Sequence, residues 1–408
     1  MFDAHSALAR LRQATAARES AGLRRVLRPR GPDHDGLTDL ASNDYLGLCG
    51  DHRVTAGAVA AAREWGTGAT SSRLVAGSTT LHAQLEQALA EFARAPAALV
   101  FSSGYMANLA TVTALAAALC RPATQAAADS SSSSVLVVSD AANHASLIDA
   151  CRLSRARVEV TPHRDVAAVR GALAARGEPA ALVVTDGVFS VDGDIAPLGA
   201  LHQVARAHQA LLVIDEAHSI GVIGPGGRGA AAAAGIAAEL DVVRTLTLSK
   251  SLAAQGGAVL GAAEVIETLV DTGRTFMFDT GLAPPCAGAA LAALGVLRAD
   301  PGLPGRALAN ARRIADTAAG IGLRASRPDA AVVSVLLGEP GAAVAAQRVC
   351  ADHGVRAGCF RPPSVPAGRS CLRLTARADL AEHDFTTVAR ALAAVRDHVR
   401  ITASAGRK

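Results

Sequence analysis

A single lysine at the end of a predicted strand has the surroundings that amine chemistry requires. Lys250 follows the stretch 242–248, which is rich in β-branched residues and predicts a mostly buried strand, and it precedes the stretch 255–261, which predicts a turn into another strand. Ligands bind at the carboxyl ends of strands in open α/β sheets, and a lysine that is partly desolvated there can attack a carbonyl carbon. The sequence therefore predicts that Lys250 forms a Schiff base. A solvated surface lysine is the commoner explanation for a lysine taken alone.

An aspartate and a histidine follow another predicted strand in the same way. Asp215 comes directly after the apolar residues 211–214, and His218 lies three positions further along the chain. A carboxylate there is costly to desolvate unless it contacts a cation, and the protonated ring nitrogen of an aromatic cofactor is such a cation. The histidine would then reach the phenolic oxygen of the same ring. The alternative for Asp215 is a helix N-cap or a structural ion pair, which is comparably common.

Two further strand ends carry polar residues. The sequence SSGY at 102–105 follows the predicted strand 98–101 and opens a helix at Gly104, so its amides and hydroxyls suit a phosphate group. His144 follows the predicted strand 135–138, and its ring could stack on a flat cofactor. For a lone histidine, a helix cap or a place in the core is the alternative.

The elements that position these residues alternate between strand and helix. Apolar strands at 98–101, 135–138, 181–184 and 211–214 predict an α/β fold with a mostly parallel sheet covered on both faces. Beyond residue 285, long helices and the strands 331–337 and 371–374 predict a smaller α+β domain. We therefore expect an N-terminal helical segment at residues 1–44, with amphipathic helices over 5–27, a large ligand-binding domain at 45–285 and a small C-terminal domain at 286–408.

Composition excludes several classes of protein. Of the 408 residues 50% are hydrophobic, enough for a large core, yet no apolar run approaches the roughly 20 residues that cross a bilayer. The chain also starts without a secretion signal, so we expect a cytoplasmic protein that binds no membrane. Seven scattered cysteines without a C-x-x-C pair predict reduced thiols and no metal site. A net charge of +4 with few aromatic residues disfavours nucleic-acid binding.

One glycine-rich motif invites a different interpretation. The sequence GPGGRG at 224–229 fits the G-x-G-x-x-G pattern, but it lies well past its strand and no acidic residue follows about 20 residues later at the end of a second strand. A nicotinamide enzyme is thus a weak rival. The sequence contains no G-x-S-x-G or H-E-x-x-H, which removes the simplest hydrolase and zinc-protease interpretations. The serine-rich segment 123–134 is predicted to be a surface loop without function.

Taken in order, these residues resemble fold-type I pyridoxal-phosphate enzymes, and more narrowly the α-oxoamine synthases. The similarity runs nearly from end to end, through SNDYLGL at 42–48, FSSGY at 101–105, NHASL at 143–147, FSVDGD at 189–194, DEAH at 215–218 and TLSK at 247–250. Two more stretches, FDTGLAP at 278–284 and CFRPPSVPAG at 359–368, are most similar to the branch of the family that serves biotin synthesis.

The resemblance implies cofactor contacts residue by residue. Lys250 binds pyridoxal 5′-phosphate covalently and moves the substrate's Cα proton, Asp215 holds the pyridine nitrogen, and His144 stacks on the ring. The other implied contacts are Ser190 and His218 at the phenolic oxygen, Gly104, Tyr105 and Thr247 at or around the phosphate, and Thr280 at the phosphate of the second subunit of a homodimer.

The resemblance also implies substrates. Arg373 would bind the carboxylate of the amino acid, for which a planar guanidinium is suited, Arg24 and Ser364 would contact the acyl substrate, and Asn43 would also contact substrate. The implied reaction is the decarboxylative condensation of L-alanine with the pimeloyl thioester of coenzyme A or acyl carrier protein. Two alternatives remain open: a sister synthase that joins glycine to acetyl-CoA, and a catalytically silent paralogue that serves as a partner subunit.

Overall fold

The computed structural model describes residues 7–31, 34–120 and 135–405. Its helices are α1 Ala7–Ser20, α2 His52–Trp65, α3 Thr80–Ala93, α4 Gly104–Cys120, α5 Ala145–Leu153, α6 Val166–Ala174, α7 Leu198–Ala207, α8 Ala230–Ala233, α9 Ala263–Thr272, α10 Arg274–Met277, α11 Pro284–Ala299, α12 Leu303–Gly320, α13 Pro340–Asp352 and α14 Glu382–Ala405. Its strands are β1 Thr38–Leu40, β2 Ala97–Phe101, β3 Val135–Asp140, β4 Arg157–Thr161, β5 Ala180–Asp186, β6 Leu211–Asp215, β7 Val242–Thr247, β8 Gly257–Gly261, β9 Val332–Gly338, β10 Val355–Phe360 and β11 Ser370–Thr375. The serine-rich segment 123–134 lies outside the described residues.

Two compact units divide the chain. The larger comprises residues 43–190 and 194–308, and the smaller comprises residues 1–42, 191–193 and 309–408. The sequence analysis placed a boundary between residues 285 and 286, whereas in the structure α11 belongs to the larger unit. There α11 packs on α2 so closely that a Cβ atom on Gly57 would lie 2.7 Å from the carbonyl oxygen of Gly288. Two glycines at the crossing therefore allow the backbones of the two helices to touch.

The larger unit is built on a seven-stranded sheet with the order β2-β8-β7-β6-β5-β3-β4. Strand β8 is antiparallel to both of its neighbours, and every other pair is parallel. The middle residues of the strands, such as Leu182, Val213 and Val243, are fully buried, as expected when helices cover both faces. The predicted α/β fold is thus confirmed. Strand β4, with the sequence RVEVT at an exposed edge of the sheet, was not predicted, because the strands of this sheet were sought as continuous apolar stretches and β4 alternates polar and apolar residues.

The smaller unit contains a four-stranded sheet with the order β1-β10-β11-β9. Strand β1, from the N-terminal segment, pairs in parallel with β10, and the other two pairs are antiparallel. Buried residues of α12, α13 and α14 pack with the sheet into one core, which confirms the predicted α+β character. Within the predicted amphipathic segment 5–27 the structure has the single described helix α1, and none of its residues is buried.

The last glycine of the motif at 224–229 lies against a buried carboxylate. Gly229 has a φ of +98°, and a Cβ atom there would lie 2.5 Å from Oε2 of Glu216. The side chain of Glu216 is fully buried, accepts a hydrogen bond from the amide of Ala231 and lies 3.6 Å from the guanidinium of Arg244. Gly229 therefore packs on an internal ion pair, which explains this glycine without a dinucleotide.

Within residues 7–31, 34–120 and 135–405, no single helix is long and apolar enough to cross a membrane. The bent pair α11 and α12 meets the criterion of length and composition when the two helices are taken together. Much of α11 is buried, and this helix packs on α2 and α3 of the larger unit.

A histidine joins two loops at the carboxyl edge of the larger sheet. The Nδ1 atom of His163 lies 3.0 Å from Oδ1 of Asp140, and its Nε2 atom lies 2.8 Å from Oδ2 of Asp194. Asp140 also accepts hydrogen bonds from the amides of Ala142 and Arg164, and so fixes the turn that precedes α5. The hydrogen bonds to Asp140 and then Asp194 raise the pKa of His163 to about 9, because the protonated ring donates from both nitrogens.

This arrangement predicts a stability change at alkaline pH. Because the pKa of His163 is raised on folding, its contribution is complete below the unfolded pKa of about 6.5 and is lost as the pH rises through the folded value of about 9. We expect a loss of about 1 kcal/mol, since the side chain is 38% exposed and solvent screens the pair. Thermal unfolding of the wild type and His163→Gln between pH 6 and pH 10 measures it. Equal pH dependence in both proteins would contradict this assignment.

Candidate active site

A cavity of about 240 Å³ opens in the larger unit at the carboxyl ends of its parallel strands. In an open α/β sheet this edge is where ligands bind. The residues that line the cavity come from β5, β6, β7, the starts of α4 and α5 and the loops beside them. They are Ser103, Gly104, Tyr105, Asn108, His144, Ser146, Asp186, Asp215, Ala217, His218, Thr247, Ser249 and Lys250.

The amine of Lys250 and the imidazole of His218 are in hydrogen-bonding contact. Nζ of Lys250 lies 2.7 Å from Nε2 of His218, and Nδ1 of the same ring lies 2.5 Å from the hydroxyl of Tyr45. That hydroxyl is 3.3 Å from the side-chain oxygen of Asn43. Tyr45 is fully buried, so its contact holds the imidazole ring of His218 in one orientation. Because the amine and the phenol contact opposite nitrogens of one imidazole, protonation of Lys250 and the tautomer of His218 are coupled.

Asp215 is held from two sides. Its Oδ2 atom accepts a hydrogen bond of 2.7 Å from Asn108, and Oδ1 accepts one of 2.9 Å from the amide of Ala217. The amide group of Asn108 also donates to Ser146 at 2.8 Å, and its oxygen accepts from the hydroxyl of Thr245. The side chain of Asp215 is buried, at 6% exposure, and lines the cavity. A carboxylate fixed in this way can contact a cationic ring nitrogen without reorganising.

A second carboxyl group lies beside Asp215. Asp186 ends β5 and is paired in register with Asp215 at the end of β6. Burial, and then the charge of Asp215, raise the pKa of Asp186 well above its ordinary value. Its Oδ1 atom accepts a hydrogen bond from the amide of His144, whereas Oδ2 is buried and has no hydrogen-bond partner among the described residues. Burial at this position therefore favours the neutral form of the Asp186 carboxyl group.

His144 is both a helix cap and a cavity residue. It is the N-cap of α5, where its Nδ1 atom accepts a hydrogen bond from the amide of Ser146 and lies 2.7 Å from that residue's hydroxyl. The pKa of His144 is lowered mainly because protein atoms displace water from the ring, although part of the residue faces solvent and the cavity. An imidazole that stays neutral at pH 7 is suited to stacking on a flat ring.

The start of α4 forms the polar end of the cavity. The amides of Gly104 and Tyr105 lie in the first turn of α4, where amides have no acceptor within the helix. The next two amides, those of Met106 and Ala107, donate to the hydroxyl and carbonyl oxygens of Ser103. A Cβ atom on Gly104 would lie 2.9 Å from Cβ of Thr247, so only glycine lets the helix start this close to β7. The hydroxyls of Thr247 and Ser249 are 2.7 Å apart. Amides, hydroxyls and the positive end of a helix together suit a phosphate group.

Three of the predicted cofactor or substrate residues of the larger unit do not line the cavity. Ser190 lies in the loop after β5, Asn43 contacts the hydroxyl of Tyr45, and Thr280 is exposed in the loop before α11. Seven predicted cofactor residues do line it, namely Gly104, Tyr105, His144, Asp215, His218, Thr247 and Lys250.

The other predicted substrate residues belong to the smaller unit. Arg373 is buried on β11, its guanidinium donates to the hydroxyl of Thr375, and it lies 5.3 Å from the ring centroid of Phe360. Arg24 is exposed and pairs with Glu19 at 2.8 Å. Ser364 is exposed in the loop between β10 and β11.

The sequence analysis did not identify Asn108, Ser146, Asp186 or Ser249 as cavity residues, nor Tyr45 as a contact of His218. Asp186 carried a usable signal, since it follows an apolar strand in the same manner as Asp215. Asn108 carried another, because it is an amide within the otherwise apolar helix α4. Tyr45 carried none, since it lies 173 positions from the histidine it contacts.

The comparison with protein families agrees with this geometry. The model of the family described as aminotransferase class I and II matches residues 35–392. The chain belongs to this family. The cavity fits pyridoxal phosphate, since it combines a lysine amine, the buried Asp215 next to a carboxyl group whose pKa is raised, and a helix start suited to phosphate.

Individual relatives give a more specific comparison than the family does. An 8-amino-7-oxononanoate synthase of Mycobacterium sp. (strain JLS) is 55% identical over 393 residues, which is 96% of this chain and 97% of that protein. A solved serine palmitoyltransferase from S. paucimobilis with bound PLP is 28% identical, with a TM-score of 0.86 over 97% of this chain and 100% of that one. The 8-amino-7-oxononanoate synthase of Francisella tularensis is 25% identical, with a TM-score of 0.73 over 90% of this chain and 99% of that one.

The contact between Tyr45 and His218 leads to a testable prediction. Tyr45→Phe leaves a buried ring nitrogen of His218 without this hydrogen-bond partner. We expect the free energy of unfolding to fall by about 1–3 kcal/mol. We expect kcat to fall about tenfold and the pH profile of kcat to shift, because the tautomer of His218 is no longer fixed. Phe189→Leu, a change at a buried aromatic residue outside this contact, is the control. Unchanged pH profiles in Tyr45→Phe would contradict the coupling.

Proposed function

We propose that the protein catalyses the reaction of 8-amino-7-oxononanoate synthases, the decarboxylative condensation of L-alanine with a pimeloyl thioester in biotin synthesis. The observation that carries this proposal is the contact of Lys250 Nζ with His218 in the same cavity as the buried carboxylate of Asp215. The substrates are inferred from the name of a relative, an 8-amino-7-oxononanoate synthase, that is 55% identical over nearly the whole chain.

When bound, pyridoxal phosphate supplies an aldehyde for amine exchange and a ring that takes up the electron pair left when the Cα proton of alanine departs. Asp215, held by Asn108 and Ala217, keeps a proton on the ring nitrogen. The amides of Gly104 and Tyr105 would hold the phosphate, and the imidazole of His144 would stack on the ring.

Lys250 is the group that moves protons at the amino acid. Its amine takes the proton from Cα of alanine, and the hydrogen bond to Nε2 of His218 orients the amine for that transfer. The carbon then forms a bond to the thioester carbonyl carbon, and the thiolate leaves and takes a proton from solvent. The resulting β-keto acid loses carbon dioxide, and Lys250 returns its proton to the same carbon, which gives 8-amino-7-oxononanoate. Each of these steps needs a fixed orientation, which the hydrogen bonds of the cavity supply.

The substrate residues of the smaller unit complete the proposal. Arg373 binds the carboxylate of alanine, because a guanidinium can donate two parallel hydrogen bonds to it. Arg24, Ser364 and Asn43 contact the substrates, and Ser190 contacts the phenolic oxygen. We further propose a homodimer in the cytoplasm, in which Thr280 reaches the phosphate of the second subunit.

Purified protein should be assayed with alanine or glycine against pimeloyl and acetyl thioesters. We expect the highest kcat/KM for alanine with the pimeloyl thioester. A preference for glycine with acetyl-CoA would identify a sister synthase instead. No turnover with any pair, in protein that binds the cofactor, would favour a silent partner subunit, which the assembled contact of Lys250 with His218 argues against.

A further inference from the structure

A fully buried ion pair joins strand β7 to the residue that follows β6. Arg244 and Glu216 are each 0% exposed, and Nη1 of Arg244 lies 3.6 Å from Oε2 of Glu216. Side chains of these two types are almost never fully buried unless they are paired. Neither residue lines the cofactor cavity, and neither takes part in the proposed reaction.

The register of the two strands places this ion pair and Asp215 on opposite faces of the sheet. Asp215 is paired with Thr245, and Ile214 is paired with Arg244. Glu216 continues the ladder by one residue, since its amide donates to the carbonyl oxygen of Thr245 at 2.7 Å. Because successive side chains of a strand alternate between faces, the ion pair projects from one face of β6 and β7 and Asp215 from the other.

On its own face, the ion pair is fixed to two helices. Nη2 of Arg244 donates to the carbonyl oxygen of Ala93 at the end of α3, at 2.9 Å. Glu216 accepts a hydrogen bond of 2.8 Å from the amide of Ala231 in α8. The two charged side chains therefore hold β6 and β7 at one position relative to both helices.

On the other face, the neighbouring residues of the same strands belong to the cavity. The hydroxyl of Thr245 donates to the side-chain oxygen of Asn108, and the amide group of Asn108 donates to Asp215 at 2.7 Å. Asp215 is the chain neighbour of one member of the ion pair, and Thr245 is the chain neighbour of the other. A displacement of the ion pair would therefore move the carboxylate of Asp215 and one of its supports together.

Stability does not account for the ion pair. Among the described residues, Nε and Nη1 of Arg244 and Oε2 of Glu216 have no hydrogen-bond partner. Ions that are buried with unsatisfied atoms lose more by desolvation than a well-bonded pair does, and apolar side chains of similar volume are often at least as stable in such places. The position of the pair next to Asp215 therefore points to a role in the site.

The charges of the two residues depend on one another. A guanidinium group stays protonated in proteins, whereas burial raises the pKa of Glu216 and the charge of Arg244 acts against that rise. With Glu216 in the anionic form that Arg244 favours, the pair has no net charge. Loss of the acid alone would leave an uncompensated cation next to Asp215.

We propose that Glu216 and Arg244 are positioning residues for the reaction in the cavity. They hold Asp215 in place from the opposite face of the sheet, and each balances the charge of the other. This inference rests on the proposed function, in which Asp215 contacts the ring nitrogen of the cofactor.

The test combines the absorption spectrum of the cofactor-loaded protein, recorded between pH 5 and pH 9, with steady-state kinetics. In Glu216→Gln, the uncompensated guanidinium disfavours a proton on the cofactor. We expect the pH midpoint of the spectral change to fall by about one unit. We also expect kcat to fall about tenfold at unchanged KM for alanine, because Asp215 is displaced after substrate is bound as well as before.

The double variant Glu216→Gln/Arg244→Met separates charge from position. It lacks the uncompensated cation, so the pH midpoint should return to the wild-type value. It also lacks the tie between the strands, so kcat should stay low. A residue that only stabilised the fold would not produce a midpoint that falls in one variant and is restored in the other.

Glu86→Gln is the matched control, because it removes the acid of another little-exposed ion pair, with Arg73 at 2.9 Å, and neither residue lines the cavity. We expect its pH midpoint and its kcat to equal those of the wild type. The other titratable residues of the cavity are the same in every variant, and they are Tyr105, His144, Asp186, His218 and Lys250.

An unchanged midpoint in folded Glu216→Gln would overturn the proposal, and so would a lowered midpoint that persists in the double variant. If Glu216→Gln does not fold, Arg244→Met takes its place, and a wild-type kcat in that variant would overturn the proposal equally. Because the spectrum is recorded without turnover, the result is independent of the assay of the reaction. A protein that shows the expected midpoints but does not condense alanine would refute the proposed function and support the role of the ion pair.

Discussion

Lys250→Ala is expected to lower kcat by at least ~10⁴-fold, because the variant loses both the covalent link to the cofactor and the base that moves the Cα proton. The chain offers an unusually clean test, since Lys250 and Lys408 are its only lysines. Treatment of the protein and its cofactor with sodium borohydride should fix the cofactor to one peptide, the one that contains Lys250. Mass spectrometry after proteolysis identifies that peptide.

Lys408→Ala is the matched control for this experiment. It removes the other lysine at the end of the chain, and we expect wild-type labelling and turnover. If Lys250→Ala retains turnover within tenfold of the wild type, or if the label is found on Lys408, the assignment of Lys250 is wrong. Circular dichroism separates a loss of chemistry from a loss of folding.

Asp215→Asn is expected to lower kcat by about 10²–10³-fold, since removal of one preorganised electrostatic contact with the reacting system has a cost of this size. The carboxamide keeps the shape of the side chain but has a single acceptor oxygen, so it can keep only one of the two hydrogen bonds from Asn108 and Ala217. It also loses the negative charge that keeps a proton on the cofactor's ring nitrogen, and circular dichroism checks that the fold is retained. The absorption spectrum of the bound cofactor, recorded between pH 5 and pH 9, reports on that proton without turnover.

Asp186→Asn is the comparison that isolates charge from shape. Because burial and the charge of Asp215 raise the pKa of Asp186, the neutral form of this group is favoured, and a carboxamide has the same charge as that form. We expect a much smaller loss of kcat than in Asp215→Asn. Equal losses in the two variants would show that the negative charge is not concentrated on Asp215.

The sequence was sufficient to predict residues that occupy strand ends. Lys250, Asp215 and His144 each follow an apolar strand, and parallel strands of one sheet place their carboxyl ends at the same edge. Each of these residues lies within a few positions of its strand, so its place at the strand end does not depend on distant parts of the chain. This is why the α/β fold and seven of the residues around the cavity could be predicted from patterns of a few residues.

Partners that join distant parts of the chain could not be predicted in this way. Asn108 binds Asp215 across 107 positions, and Tyr45 contacts His218 across 173. No local period records such pairs, because they depend on how α4 and the loop before α2 pack on the sheet. The neutral state of Asp186 is of the same kind, since it arises from burial next to a charge on a neighbouring strand.

The pairing of β1 with β10 has a consequence for synthesis of the chain. All seven strands of the larger sheet have been synthesised once residue 261 is translated, whereas the partner of β1, which lies at residues 38–40, is synthesised only with residues 355–360. Since a chain folds domain by domain as it emerges, the larger unit has time to form while the N-terminal segment is still unpaired. Nascent chains stalled before residue 355 should therefore protect the larger unit from protease and leave residues 7–31 open to cleavage.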